Sequence, residues 1–339
     1  MTKPLVSILI PAYNSSPWVR YAILSACNQT WPNKEIIVVD DGSTDKTLAI
    51  AREFERFDVG VKVISQPNRG ASAARNTALK ASRGDYIQWL DSDDLLDPNK
   101  IERQMFYQDW LKLGPRTLLS GAWARFHYCT QRAKFNSTAL WEISLTPTEW
   151  LYRKLRYNLH MQPSNWLVSR ELTEAAGPWD ESLTNDDDGE YFARVLRASE
   201  GTRFVIESQC FYRTVGFGSL SRLAGEPDKL ESLYKSMTRH MDYLLELENS
   251  ERTRQACVTY IRNWLHEFYP TRMDLAAKLN AILEEFGATA EEPKLSPKYQ
   301  WLVDTAGWRA GRTAQILAPR FRWSAAIAWD RLLWQIGVP

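Results

Sequence analysis

The chain has 339 residues, of which 44% are hydrophobic and 24% are charged, a composition that fits a globular protein and excludes a disordered one. Lys and Arg number 42 and Asp and Glu number 41, so no overall positive field attracts nucleic acid, and we expect no nucleic-acid partner. The four cysteines form no C-x-x-C pair, which argues against a zinc site or a disulfide framework and fits a reducing cytoplasm. No hydrophobic run reaches membrane-spanning length, and Leu5–Ile10 is too short for a signal sequence, so we expect a soluble or peripheral protein.

Predicted strands and helices alternate along the N-terminal third of the chain. The strands are Leu5–Ile10, Glu35–Val39, Val61–Ser65 and Tyr86–Leu90, and the helices between them are 15–28, Leu48–Phe57 and Gly70–Ala81. The first strand is apolar almost throughout, as expected for a sheet that is buried on both faces. This alternation predicts an α/β fold with a doubly wound, mainly parallel sheet and helices on both faces.

Candidate ligand-binding residues follow the predicted strands. Tyr13, Asp41, the segment Gly70–Arg75 and the cluster Asp91–Asp94 each come after a strand. In doubly wound sheets ligands bind outside the carboxyl ends of the strands, so we expect these four groups to converge on one edge. Neither G-x-G-x-x-G nor G-x-x-x-x-G-K-[ST] occurs in this half of the chain, which disfavours a dinucleotide-binding protein and a P-loop NTPase.

The stretch Tyr86–Leu96 begins as an apolar, aromatic-rich run. This run ends in the first acidic cluster, which consists of Asp91, Asp93 and Asp94. Three neighbouring carboxylates repel one another unless a cation or hydrogen-bond donors lie between them. Hard oxygen ligands of this kind suit Mg²⁺ or Mn²⁺, ions that also bind phosphates. The alternative is a solvated turn before a helix, because Asp97–Pro98 looks like an N-cap followed by proline at the first helical position.

A second acidic cluster, Asp186–Asp188, opens a predicted helix within the segment Thr184–Arg194. These acids could serve the helix alone, because the helix dipole favours negative charge in the first turn. Trp166 and Trp179 lie shortly before the cluster, where they could stack on a ligand, although packing in a core is the commoner use of tryptophan. The sequence alone leaves both alternatives open.

The pattern becomes less periodic beyond Pro98 and then helical. We expect a helix from Pro98 to Leu113, strands Thr117–Phe126 (broken at Gly121), Asn165–Ser169, Phe204–Glu207 and Phe211–Arg213, and helices Glu171–Ala176, Leu230–Leu247, Arg252–Phe268 and Met273–Phe286. The segment Gly216–Arg222 is predicted to be a loop that folds over a ligand. The predicted organisation is an α/β domain over residues 1–222, a helical extension over 223–292 and an amphipathic tail over 293–339.

Tryptophan and arginine are abundant in this tail. It contains Trp301, Trp308, Trp323, Trp329 and Trp334 together with Arg309, Arg312, Arg320, Arg322 and Arg331. Aromatic and basic residues on amphipathic helices suit the surface of an anionic bilayer, which would make the protein a peripheral membrane protein. The alternative is an ordinary helical pair that packs its tryptophans on the preceding domain.

Four motifs occur in a fixed order: Val6–Asn14 (VSILIPAYN), Val38–Asp45 (VVDDGSTD), Gly70–Asn76 (GASAARN) and Leu90–Asp94 (LDSDD). Together they closely resemble glycosyltransferase family 2, a family of GT-A fold, over roughly residues 4 to 215. The resemblance implies an inverting enzyme that uses a nucleotide-diphosphate sugar, for which we expect UDP, and a divalent metal, Mn²⁺ or Mg²⁺. Within the family's D-x-D motif, Asp93 would hold the metal, and Asp91 would approach both the metal and the ribose or sugar.

The same resemblance implies roles for residues of the earlier motifs. Pro11 and Tyr13 would lie around the nucleobase, and Asp41 would hydrogen-bond it. Gly70 would belong to the nucleotide-sugar site, and Arg75 would lie near the diphosphate.

The family's later acidic motif, usually Glu-Asp some residues before an arginine, resembles Asp187 and Asp188 before Arg194. Asp188 then matches the catalytic base. The chain departs from the usual Glu-Asp pair, and the neighbouring acids Asp186 and Glu190 leave the register open by one residue.

The resemblance also implies transfer to a hydroxyl of a saccharide or lipid-linked saccharide acceptor, in the synthesis of a cell-surface polysaccharide or glycan, at the inner face of the cell membrane if the tail binds lipid. One alternative is a sugar-phosphate nucleotidyltransferase. Such enzymes usually carry a Gly-rich, basic loop near the N-terminus, and Pro11–Ser16 contains no such loop. The other alternative is a nucleotide-sugar or polysaccharide binding protein of the same fold without turnover.

Overall fold

The structure of the chain is a computed structural model, and it describes residues 3–57, 60–214, 226–290 and 295–335. The predicted ligand loop Gly216–Arg222 and the predicted boundary at residue 222 lie outside the described residues. Both therefore stay predictions.

Four parallel strands form the centre of the first sheet. They are β1 (Val6–Ala12), β2 (Lys34–Asp41), β3 (Val61–Gln66) and β4 (Tyr86–Trp89), in the order β3-β2-β1-β4. The helices α1 (Val19–Cys27), α2 (Thr47–Phe57) and α3 (Ala71–Ala81) connect successive strands. The predicted doubly wound, mainly parallel α/β fold is confirmed.

Strand β1 is buried along its whole length because helices cover both faces of the sheet. Successive side chains of a strand point to opposite faces, so Ile8 belongs to the core that contains Ile23 of α1, whereas its neighbour Leu9 belongs to the core that contains Ala74 of α3. A strand that is apolar on both faces therefore belongs at the centre of the sheet. Solvent is reached only where the chain leaves the sheet, at the carboxyl end of the strand.

A second sheet extends the first. It contains β5 (Leu95–Leu96), β6 (Thr117–Phe126), β7 (Lys134–Phe135), β8 (Ser144–Leu145) and β10 (Gly201–Arg213), while β9 (Val168–Ser169) pairs antiparallel with β4 at the edge of the first sheet. Strand β9 is shorter than predicted because residues Pro163–Asn165 form a 3-10 turn. The two strands predicted after Phe204 are one continuous strand, β10.

The predicted break at Gly121 is wrong, because β6 runs unbroken through this glycine. The irregularity lies in the partner strand β10, whose register with β6 shifts between Val205 and Gln209. The bulge presses against β6 so closely that a Cβ at Gly121 would lie 2.2 Å from the carbonyl oxygen of Ser208. Glycine is thus required here by a close backbone approach.

Four helices complete the α/β part: α4 (Lys100–Trp110), α5 (Pro147–Tyr157), α6 (Arg170–Ala176) and α7 (Asp187–Ala198). Helix α4 begins later than predicted, with Asn99 as its N-cap residue. Asp97 lies in the turn before it, where its carboxylate accepts the Asn99 N–H at 3.0 Å. The predicted N-cap at Asp97 is therefore wrong, although the residue does stabilise the turn that leads into the helix.

The C-terminal third is helical, as predicted. It comprises α8 (Pro227–Leu247), α9 (Glu251–Trp264), α10 (Met273–Glu285), α11 (Gln300–Ala306) and α12 (Trp308–Gln335). Leu230 and Met237 of α8 share one hydrophobic core with Ile261 of α9 and Val195 of α7. The helical extension thus packs directly on the α/β part.

The tail packs on the α/β part at its C-terminal end. The ring of Trp334 contacts Tyr21 and Tyr128, and the Asp330 carboxylate accepts the Tyr128 N–H at 2.8 Å. Trp301 and Trp329, in contrast, are each 62% exposed. Within the described ranges, no helix is both long and apolar enough to cross a membrane.

Candidate active site

The predicted site residues lie at the carboxyl edge of the first sheet, which we define by Tyr13, Asp41, Gly70 and Asp91. The register pairs Ala12 of β1 with Asp40 of β2, so Tyr13 and Asp41 leave the sheet side by side. Asp91 follows β4, which is hydrogen-bonded to the other side of β1. The preceding Pro11 is buried within β1, whereas Tyr13 is 42% exposed.

Asp41 holds the loop that leads into α3. Its carboxylate is buried, and it accepts hydrogen bonds from the Gln66 side chain at 2.7 Å, from the Arg69 N–H at 3.0 Å and from the Gly70 N–H at 2.8 Å. Gly70 has a φ of +91°, a conformation that favours glycine, and the space beside its Cα is open. Asp41 therefore shapes an exposed backbone turn at the start of α3.

Arg75 of α3 joins the two acidic clusters. One terminal nitrogen donates to Asp91 at 2.8 Å and the other to Asp187 at 2.7 Å, and the side chain is only 7% exposed. Burial opposes its charge, but Asp91 and Asp187 outweigh that effect and raise the pKa of Arg75 above its usual value. The guanidinium lies 4.4 Å from the ring centroid of Trp179, a cation–π contact.

Both tryptophans that lie shortly before the second cluster are core residues. Trp166 is fully buried and Trp179 is 2% exposed, and Trp179 stacks on Tyr191 with ring centroids 4.0 Å apart. Packing is therefore the correct alternative. Trp179 still serves the site, because it forms the floor on which the Arg75 guanidinium lies.

The first acidic cluster forms a tight turn in which the Asp94 N–H donates to the Asp91 carbonyl at 3.1 Å. Asp94 is fully buried and accepts the Arg213 N–H at 2.8 Å, and the Arg213 side chain donates to the Asp93 carbonyl at 2.7 Å. Burial, followed by the charge of Asp91, raises the pKa of the Asp93 carboxyl to about 6. Burial and the charge of Asp93 also raise the pKa of Asp94 well above its usual range.

The charge of Arg213 offsets only part of the effect that burial and Asp91 have on the pKa of Asp93, which bears on the predicted metal. In the part of the chain that the structure describes, no three His, Cys, Asp or Glu side chains form a ready-made cage for a metal ion. Asp91 and Asp93 nevertheless supply hard oxygen donors, and the raised pKa of Asp93 indicates that a nearby cation would stabilise its charged form. The donors fit a divalent ion that takes its remaining ligands from a phosphate group and water.

The three acids of the second cluster have three different environments. Asp186 is the N-cap residue of α7 and has a φ of +54°. Asp187 accepts hydrogen bonds from Ser72 at 3.0 Å and from Arg75. Burial, followed by the charges of Asp187 and Asp186, raises the pKa of the Asp188 carboxyl to about 7. Asp188 can therefore take up a proton near neutral pH.

Sequence reasoning missed three residues that hold the site together: Ser72, Asp94 and Arg213. Ser72 lies three residues before Arg75 on α3, so the two share a helix face, and this spacing could have revealed it. In the sequence, Asp94 is only one of three neighbouring acids, and Arg213 is only the end of a predicted strand. Their contacts join segments that are far apart in the chain, for which the sequence carried no pattern.

The site and the fold can now be compared with known proteins. The model of the glycosyl transferase family 2 matches residues 7–175. The uncharacterized glycosyltransferase EpsJ of Bacillus subtilis (strain 168) is 30% identical over 235 residues, which are 68% of this chain and 67% of that protein. The chain belongs to glycosyltransferase family 2.

Other relatives in this family are matched over shorter stretches. The chondroitin synthase of Escherichia coli is 50% identical over 99 residues, which are 29% of this chain but only 14% of that protein. An uncharacterized glycosyltransferase of Haemophilus influenzae is 44% identical over 106 residues, or 42% of its length. The chain thus spans less than half the length of these two relatives.

Solved structures confirm the GT-A fold. Residues 1–349 of S. aureus TarS in complex with UDP-GlcNAc superpose with a TM-score of 0.67 at 18% identity, over 93% of this chain and 91% of that one. The mannosyltransferase PcManGT from Pyrobaculum calidifontis, in complex with GDP-Man and Mn²⁺, gives a TM-score of 0.54 at 16% identity, over 100% of this chain and 88% of that one. At these identities the likeness establishes the fold.

The bridge made by Arg75 leads to a stability prediction. Replacing Arg75 with Met should lower the free energy of unfolding by about 3 to 5 kcal/mol, because Asp91 and Asp187 then lose their shared partner. The matched control is Arg69→Met, which removes a 58% exposed arginine paired with Glu181 and should cost less than about 1 kcal/mol. Urea unfolding followed by circular dichroism measures both, and equal losses in the two variants would contradict the bridging role.

Proposed function

We propose that the chain is an inverting glycosyltransferase that moves a sugar from a nucleotide-diphosphate sugar to a hydroxyl of a saccharide or lipid-linked saccharide. One observation carries the proposal: Arg75 pairs with Asp91 on one side and with Asp187 on the other. This places the acidic turn with its unbalanced charge next to the helix that carries Asp188. Donor activation and proton uptake can therefore occur at a single site.

The donor side is the carboxyl edge. We assign Pro11, Tyr13 and Gly70 to the nucleotide, since the exposed Tyr13 ring offers a face for a nucleobase and the turn at Gly70 is open. Asp41 acts there by holding this turn. Its oxygens already accept hydrogen bonds from the backbone of the turn, so a hydrogen bond to the nucleobase would be made in addition to these. The solved relatives were crystallised with UDP, UDP-GlcNAc or GDP-Man, which supports a nucleotide-sugar donor. We favour a UDP sugar.

Asp93 and Asp91 would hold a divalent metal, Mn²⁺ or Mg²⁺, which when bound supplies Lewis-acid stabilisation of the negative charge on the leaving diphosphate. The presence of Mn²⁺ in the PcManGT complex supports this assignment. Arg75 contributes indirectly, because its terminal nitrogens are taken by two carboxylates. It holds the Asp91 carboxylate in place beside the proposed diphosphate site.

Asp188 is the proposed catalytic base. As the acceptor oxygen attacks the anomeric carbon, its proton passes to the Asp188 carboxylate. The new C–O bond forms on the face opposite the diphosphate, and the bond to the diphosphate oxygen breaks with its electron pair leaving on that oxygen. A single displacement of this kind inverts the anomeric configuration. Asp187 fixes the first turn of the helix through Ser72 and Arg75.

The acceptor is proposed from the relatives. The matched proteins include chondroitin synthases and a putative teichuronic acid biosynthesis glycosyltransferase, which supports a role in polysaccharide synthesis.

We also propose that the tail contacts an anionic membrane surface. Trp329 and Leu332 lie one turn apart on α12 and are 62% and 47% exposed, with the exposed Arg331 beside them, an arrangement suited to the lipid interface.

Two substitutions separate the proposed roles. Asp188→Asn should abolish transfer and leave UDP binding intact, because it removes the base and not the donor site. Asp93→Ala should instead weaken UDP binding in the presence of Mn²⁺, because it removes a metal ligand. A panel of UDP and GDP sugars with Mn²⁺, followed by nucleotide release and by calorimetry with UDP, measures both effects. Asp228→Asn, on an exposed position of α8, is the control.

Several outcomes of this panel would refute the assignments. Equal turnover in Asp188→Asn and wild type removes the base assignment. Binding of nucleotide sugars with neither transfer nor slow hydrolysis identifies the binding protein without turnover. Release of pyrophosphate from a nucleoside triphosphate and a sugar phosphate identifies the nucleotidyltransferase.

The pKa of Asp188, raised to about 7, predicts a pH dependence. Turnover should rise with pH through about 7, because only the ionised carboxylate accepts the proton. Stability should run the other way: the folded chain binds this proton more tightly than the unfolded chain, so the favourable contribution is lost as pH rises from about 4 to about 7. Asp188→Asn should therefore gain stability relative to wild type over that range in urea titrations. A turnover profile that is flat across this range would contradict the assignment.

Vesicle flotation tests the membrane proposal. Wild type should float with vesicles that contain phosphatidylglycerol, and the double variant Trp301→Ser, Trp329→Ser should float less, because two exposed interfacial anchors are gone. The control is Trp110→Ser, which removes a 65% exposed tryptophan of α4. Equal flotation of the double variant and the control would leave packing as the role of the tail.

A further inference from the structure

Helix α8 of the helical extension presents a row of polar side chains to α7 and to the segment before it. The row consists of Ser232, Ser236, Arg239 and Tyr243, whose spacing of four, three and four residues places them on one helix face. The other buried residues of α8 are apolar, such as Leu233 and Met237, except for His240, whose ring lies 3.1 Å from the Tyr260 hydroxyl and 3.8 Å from the Asp186 carboxylate. A polar row in an otherwise apolar interface needs a reason.

Ser232 holds the backbone before α7. Its buried hydroxyl accepts hydrogen bonds from the Thr184 and Asn185 N–H groups, both at 3.0 Å, and donates to the Asn185 carbonyl at 2.7 Å. Three backbone groups of one loop thus end on one serine side chain. This fixes the path by which the chain enters the helix that carries Asp188.

Ser236, one turn later, holds the next residue. Its hydroxyl lies 2.5 Å from the Asp186 carboxylate and 3.3 Å from the Asp186 carbonyl oxygen. Asp186 has a left-handed backbone conformation with a φ of +54°, which L-residues adopt only at an energetic cost. Ser236 stabilises this conformation, which turns the chain directly into α7 two residues before Asp188.

The other end of the row holds α7 itself. The Tyr243 hydroxyl donates to the Glu190 carboxylate at 2.8 Å, and Arg239 pairs with Asp180 at 2.7 Å. Glu190, 1% exposed, is also held by Arg194 through two hydrogen bonds. The polar row of α8 therefore forms hydrogen bonds with the chain on both sides of Asp188, at residues 184–186 and at residue 190.

We propose that Ser232 and Ser236 are positioning residues for the glycosyl transfer, which set the place of the Asp188 carboxylate through the backbone of Thr184 to Asp186. The inference rests on the proposed function in that it takes Asp188 as the base. It gives the helical extension a role in the reaction. Helix α8 positions the Asp188 carboxylate, whereas other elements form the donor site at the carboxyl edge. Turnover and donor binding should therefore respond differently to changes in α8.

The test uses Ser236→Ala and Ser232→Ala in the full chain. Both should lower kcat by roughly 10- to 100-fold, because small displacements of a catalytic group have effects of this size, while the Kd for UDP with Mn²⁺ stays within about two-fold. The matched control is Thr238→Ala on the same helix, whose hydroxyl donates to the Lys235 carbonyl within α8. Turnover is followed as nucleotide release from the UDP sugar that reacts fastest, with water as the acceptor if no saccharide is accepted.

A double-mutant cycle shows whether Ser236 acts through Asp186. The effects of Ser236→Ala and Asp186→Asn on kcat should combine to less than their product, because each breaks the same contact. Independent, multiplicative effects would overturn the inference. So would wild-type kcat in folded Ser236→Ala, an equal loss in Thr238→Ala, or a parallel loss of UDP binding.

Failure of the proposed function would look different. In that case wild type itself releases no nucleotide from any donor, and hydrogen exchange decides whether α8 holds the loop. The amides of Thr184 and Asn185 should lose protection in Ser232→Ala and keep it in Thr238→Ala. Unchanged protection in Ser232→Ala would overturn the contact on which the inference depends.

Discussion

The active site depends on one buried cation shared by two acidic clusters. Asp91 and Asp187 come from distant parts of the chain, and each is held by a terminal nitrogen of Arg75. Without that guanidinium, two carboxylates would face each other at low solvent exposure, which costs several kcal/mol. Trp179 supports the guanidinium from below at 4.4 Å. The arrangement fixes the distance between the proposed donor side and the proposed base side before any substrate arrives, which is the kind of preorganisation that catalysis requires.

Charge is unequally distributed around this bridge. Asp91 and Asp187 share Arg75, whereas the pKa of Asp93 is raised to about 6 and that of Asp188 to about 7 by burial and by their acidic neighbours. Among the described residues neither Asp93 nor Asp188 forms an ion pair, and the proposal gives chemistry to both, to Asp93 with a metal and to Asp188 with a proton. Perturbed carboxyls of this kind are frequent in catalytic sites.

Much of the fold could be predicted from sequence, because strands such as Leu5–Ile10 are apolar almost throughout and alternate with amphipathic helices. The same pattern placed Tyr13, Asp41 and Asp91 at one edge. Features set by distant contacts were less predictable. The course of β6 depends on the bulge around Ser208 in its partner strand β10. Arg75 pairs with Asp187, which is more than a hundred residues away in sequence. The proposed role of α8 could not be predicted for the same reason, since the sequence around a serine in a helix does not show which residues it contacts.

The central claim is tested most directly by a crystal structure of the full chain with UDP and Mn²⁺, in which anomalous scattering locates the metal. The account predicts an anomalous peak beside the Asp93 carboxylate, the diphosphate at the carboxyl edge, and the Asp91–Arg75–Asp187 bridge unbroken with Asp188 facing the site. A metal and diphosphate bound at another face of the molecule, or Arg75 released from either acid, would contradict it.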